Sequence, residues 1–157
     1  MNIRNLLVIC GIAGLAIAPA FAADSGPAPV AKPDPLAPAR EAIKQKNWTV
    51  AVNELKQIDA RDSADWNNLM GYALRKMTPP DYAAAERYYN QALTIDPKHR
   101  DALEYSGELY LILGKLPEAE QRLATLDKAC FFPCEQYTDL KKAVARYKAA
   151  GNKYVPE

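Results

Sequence analysis

The residues whose types and spacing could do chemistry begin with a cysteine pair, Cys130 and Cys134, bracketing Phe131-Phe132-Pro133. Two thiols at this spacing can close a short disulfide, or, as thiolates, exchange with another disulfide or hold a soft metal such as Cu(I). Pro133 interrupts regular helix, so the chain can bend enough for bridge geometry. The two phenylalanines predict a buried connection, no methionine lies close by to add a soft ligand, and Lys128 is the one nearby base that could lower a thiol pKa. The pair therefore reads as a structural disulfide, with thiol-redox or Cu(I) handling as the alternative. So short a loop constrains the unfolded chain by only about 2 kcal/mol, and its larger effect would be to fix the angle of the segment that follows.

Other chemistry is sparse. The single histidine, His99, follows Pro97-Lys98 in a turn, where an exposed, solvated ring is expected; any Ser/His or Cys/His mechanism would have to use it. Asp101, Glu104 and Glu108 fall on one helix face, but without another ligand type they form an acidic wall rather than a metal site or a catalytic carboxylate pair. Asn47-Trp48-Thr49 matches a glycosylation sequon, which has meaning only in a eukaryotic secretory pathway. No catalytic residue, no metal and no cofactor is expected, and binding is favoured over catalysis.

Composition agrees. The 157 residues carry 20 Lys plus Arg against 19 Asp plus Glu, with charged residues at 25% and hydrophobic ones at 49%, as one soluble domain with a real core would. The two signs are interleaved, which counts against nucleic acid as a partner. Residues 1–22 have Arg4 as their one charge, an apolar stretch from Leu6 to Ala18, and Ala20-Phe21-Ala22 at the end. This is the pattern of a signal peptide cleaved after Ala22. Ile9 before Cys10 is too bulky for a lipidation site. Cleavage would leave no stable membrane anchor, a mature chain with 19 charges of each sign, and Cys130 and Cys134 as its cysteines, in a periplasmic or secreted location that favours oxidation.

Residues 23–36, rich in Pro and Ala, predict an extended linker with little to bury. From residue 37 to 150 the apolar residues recur at helical spacing with no sustained alternation, so the expected fold class is all-α; residues 151–157 form a short tail. The helical part repeats with a step of 34: Ala51, Ala85 and Ala119; Leu55, Tyr89 and Leu123; Ile58, Ala92 and Leu126. A step of this size marks stacked helical hairpins, none able to bury its apolar face alone.

These residues resemble the tetratricopeptide repeat family. Gly71 and Gly107 match its small residue where two helices cross, Tyr110 its late aromatic in the first helix, Ala85 and Ala119 its small residue early in the second, and Pro97 its terminating proline. Thr78-Pro79-Pro80 lengthens one turn, so the glycines stand 36 apart, and the shorter 59–65 loop restores the step of 34. Prolines 33, 35 and 38 cut the first helix to about Ala37–Lys46. A last helix, Glu135–Ala149, carries Tyr137, Leu140, Val144 and Tyr147 on one face and should cap the array. The expectation is three hairpins plus one helix.

The resemblance implies a right-handed superhelix, or α-solenoid, whose concave face is lined by the first helix of each repeat. Carried over, the groove residues are Arg40 and Lys44; Asn68, Tyr72, Arg75 and Lys76; and Asp101, Glu104, Glu108 and Leu111. With basic residues toward the N-terminal end and acidic ones on the third hairpin, such a groove suits a protein or extended peptide of matching charge order. Tyr72 stands where a carboxylate-binding clamp of the family has an asparagine, so that clamp is not expected. Trp48 and Trp66 read as packing wedges. Tyr89 keeps the repeat register and should be core, leaving Tyr88 partly exposed. The functional expectation is an exported, non-catalytic adaptor.

Overall fold

The computed structural model describes residues 33–155. The expected signal peptide, most of the linker and the last two residues of the tail lie outside the described residues.

Within that range the chain forms α1 (Ala37–Lys44), α2 (Trp48–Lys56), α3 (Ala64–Lys76), α4 (Tyr82–Ile95), α5 (Arg100–Ile112), α6 (Leu116–Ala129) and α7 (Glu135–Ala149), with no strand among the described residues. Local chemistry sets the helix ends. Ser63 and Asp81 accept the backbone N–H groups of Trp66 and Ala84, capping α3 and α4, and prolines sit in the first turns of α1 and α6, where no N–H partner is lost. The first helix stops two residues before the expected Lys46, because Lys46 takes a positive φ of 59° that ends the helical path. Leu36, assigned to the linker from sequence, is buried and belongs to the first core cluster.

The helices pair as hairpins, α1 with α2, α3 with α4 and α5 with α6, and α7 packs on both α5 and α6. The first helices also touch across repeats, α1 on α3 and α3 on α5, whereas among the described residues the backbones of α2 and α4, and of α4 and α6, stand farther apart, α4 and α6 meeting through side chains such as Arg122, whose Nη2 donates to Asn90 Oδ1 at 2.8 Å. Close first helices and splayed second helices curve the stack, and the row α1, α3, α5, α7 lies on its inner side.

Small residues allow the close approaches. A Cβ on Gly71 would lie 2.8 Å from a Tyr89 ring carbon and 3.2 Å from the Ala85 carbonyl oxygen, and one on Gly107 would lie 2.6 Å from a Leu140 methyl. Ala51, Ala85 and Ala119, the positions of the 34-residue step, are completely buried, as are Leu55, Tyr89, Ala92 and Leu126; Ile58 and Leu123 are partly buried. The core has two clusters, one in α1–α3 and one in α4–α7, and Leu74 packs against both.

Candidate functional site

The inner face is built around Arg75 in the last turn of α3. Its side chain is only 3% exposed. Nη1 donates to Glu108 Oε2 at 2.8 Å and to the Tyr105 carbonyl at 3.1 Å, both on α5. The guanidinium lies 5.5 Å from the ring centroids of both Tyr72 and Tyr105, and those rings lie 4.5 Å apart. Arg75 thus ties the second repeat to the third through a cation set beside both tyrosine rings and neutralised by one carboxylate. Lys76 Nζ stands 5.7 Å over Tyr72, and Trp48 meets the same ring edge-on at 5.9 Å. Arg75 Nε and Asn68 Oδ1 are buried without a hydrogen-bond partner among the described residues.

Beside Arg75 lies a cavity of about 280 Å³ between the C-terminal ends of α3, α5 and α7. Arg75, Lys76, Glu108, Leu111, Arg146 and Tyr147 contribute to its wall, and so do Tyr154 and Val155 from the irregular stretch after α7. The chain's own non-helical segment therefore enters one end of the inner face.

Of the residues expected in the groove, Tyr72, Arg75, Lys76, Glu104, Glu108 and Leu111 gather around this cavity or the tyrosine pair next to it. Leu111 and Asn68 are almost wholly buried, so they support the face more than they present it. Arg40 is drawn to the edge, where it pairs with Asp65 at 2.9 Å and Asp34 at 3.4 Å. Lys44 stands apart, 75% exposed and 3.8 Å from Glu41. Asp101 accepts from Gln136 Nε2 of α7 at 2.8 Å.

The acidic wall is less charged than expected. Burial, followed by repulsion from Glu108, Asp101 and Asp139, pushes the Glu104 carboxyl up to about 8, against the attraction of Arg75. At neutral pH this side chain keeps its proton and can donate a hydrogen bond.

His99 corrects a second expectation. Its side chain is 11% exposed rather than solvated. Nδ1 accepts the Ala102 N–H and caps α5, while Nε2 reaches Asp65 Oδ1 at 2.9 Å. A ring that accepts at Nδ1 must carry its proton on Nε2, which then donates to Asp65. Burial disfavours the Asp65 carboxylate, but the bond to His99 and the charge of Arg40 outweigh it and hold the group below the usual aspartate range. Arg40, Asp65 and His99 thus link α1, α3 and α5 along one edge.

Residues 81–143 match the family model described as Tetratricopeptide repeat, a stretch that runs from the cap of α4 into α7. That stretch carries tetratricopeptide repeats. No curated protein matches it. Tetratricopeptide repeats serve protein interaction and are generally non-catalytic, and the stacked first helices, crossing glycines and buried alanines described above are the packing such repeats require.

Several residues of the tetratricopeptide inner face escaped the sequence reading. Tyr105 stands four after Asp101 and three before Glu108, a spacing that places it on their face. Arg146, Tyr147 and Tyr154 were missed because the groove was taken to end with the third hairpin, whereas α7 continues the first-helix row. Trp66 is the packing wedge expected, buried with Nε1 donating to the Leu55 carbonyl at 2.9 Å.

Cys130 and Cys134 are joined as a disulfide with Cα atoms 5.8 Å apart. The bridge favours a structural role over a free dithiol. The connection it closes is not buried, however: Phe131 is 94% and Phe132 75% exposed. The bridged loop is too short to fold back, and its small 190 Å³ recess beside Asp127 and Tyr137 does not cover the rings.

Proposed function

We propose that this chain is an exported adaptor that holds an extended peptide segment of a protein partner against the α1–α3–α5–α7 face. One observation carries the reading: around Arg75 the face combines a cavity, a close pair of tyrosine rings and charges of both signs, and residues of the chain's own irregular segment already lie in it. A peptide can hydrogen-bond to the charged side chains of the cavity wall, and tyrosine rings offer area to alternate side chains of an extended strand. Leader cleavage after Ala22 and an oxidising destination fit the cysteine bridge.

The binding test is a peptide library presented to the purified protein, repeated with Lys76→Glu and Tyr72→Ala. Retained peptides should lose at least tenfold in affinity to both variants, with the melting temperature of the Lys76→Glu protein within a few degrees of wild type. Peptides bound equally by wild type and variants would displace the reading from this face. Export is tested separately by N-terminal sequencing of protein recovered from the periplasm of a bacterial host: a start at Ala23 is expected, and an unprocessed chain in the cytoplasm contradicts it.

A further inference from the structure

The strongest surface anomaly is the bridged loop. Phe131 and Phe132 project at 94% and 75% exposure with their rings edge to face, 4.9 Å apart. Adjacent bare aromatic rings at the tip of a cross-linked loop form an apolar knob whose shape is set before it meets anything, which lowers the ordering cost of docking.

At the other end of the array, on the side of the second helices, lies its counterpart. Between the backbones of α2 and α4, which stand apart, a cleft of about 880 Å³ opens over the start of α3. Its floor includes Trp66, Met70 and Tyr88, with the Trp66 and Tyr88 rings edge to face at 5.8 Å. Its rim carries the exposed cations Lys56, Arg61 and Arg87 against one acid, Asp59. Among the described residues none of these three cations has an ion pair.

We propose that these two surfaces are the halves of one contact, in which the Phe131–Phe132 knob of one copy enters the α2–α4 cleft of a second copy. Shape agrees, convex apolar against concave aromatic. Charge agrees also: the exposed acids Asp127 and Glu135 flank the knob, with Lys128 as the opposing charge, and would face the basic rim. A bilayer is the less suited receiver, because one lysine beside the rings is no basic patch for anionic headgroups. Since the knob and cleft are different surfaces, the contact is head-to-tail, and an open assembly keeps a free knob at one end and a free cleft at the other and can grow. So small a contact is weak singly, and association grows with concentration.

The test is sedimentation velocity on the purified protein with its disulfide formed, from micromolar to several hundred micromolar. The wild type should pass from monomer to species beyond the dimer. Phe131→Ser with Phe132→Ser, which removes the knob, and Lys56→Glu with Arg87→Glu, which reverses the rim, should each remain monomeric. Mixed in equal amounts, those two variants should give a heterodimer that grows no further, since only one intact knob and one intact cleft remain. Recovery in the mixture also shows that both variants are folded. A wild type monomeric throughout, association unchanged by either variant, or monomers that instead bind phosphatidylglycerol vesicles through the two phenylalanines would each overturn the proposal.

Discussion

Gly71 shows how little freedom a single site has. A methyl added there meets the fixed ring of fully buried Tyr89 at 2.8 Å and a backbone oxygen at 3.2 Å, so neither side can yield cheaply. Gly71→Ala should destabilise the fold by about 1–3 kcal/mol, read as a lower midpoint in urea unfolding with an unchanged slope. Glu104 makes a different prediction. Burial raises its folded pKa to about 8 from an ordinary 4.5, so between those values the native state holds a proton that the unfolded chain has lost. Its contribution to stability is complete below pH 4.5 and falls as pH rises to about 8. Glu104→Gln should therefore flatten the decline in melting temperature across this window and be more stable than wild type at pH 9; parallel profiles for the two proteins would contradict the assignment.

Among the elements, α3 and α5 are joined most distinctively by Arg75 and Glu108. Removing one member of a buried pair leaves an uncompensated charge, whereas replacing both by apolar groups is often nearly neutral. Arg75→Met should cost about 3 kcal/mol and Arg75→Met with Glu108→Leu much less, a non-additivity that a double-mutant cycle in denaturant would measure. Helices were legible in the sequence where local pattern suffices: α7 runs over Glu135–Ala149 as its apolar stripe and following Gly151 indicate. The pairing of Arg75 with Glu108 was not, because residues 33 apart meet only after two hairpins have stacked, and no local spacing encodes the angle between them. The same holds for His99, whose burial depends on Asp65 reaching it from another repeat. Phe131 and Phe132 misled for the opposite reason: their apolar character predicted a core, but a loop closed over three residues offers nothing to bury them against.

At the scale of the whole molecule, the array separates two surfaces, a polar inner face on the first helices and a splayed outer side on the second. The disulfide belongs to neither. Cys130→Ser with Cys134→Ser should lower stability by about 2 kcal/mol while leaving peptide affinity at the inner face unchanged, because the bridge lies in the α6–α7 connection and supplies no wall to the Arg75 cavity. Tyr154 and Val155 do supply that wall, so replacing both with alanine should strengthen binding of an external peptide, seen by calorimetry as a lower Kd. The most direct test of the inner face as the binding site is amide hydrogen exchange of the protein with and without its selected peptide. Protection should concentrate in the second halves of α3 and α5 and in α7 around Arg146. Protection confined to α2, α4 and α6 would contradict it.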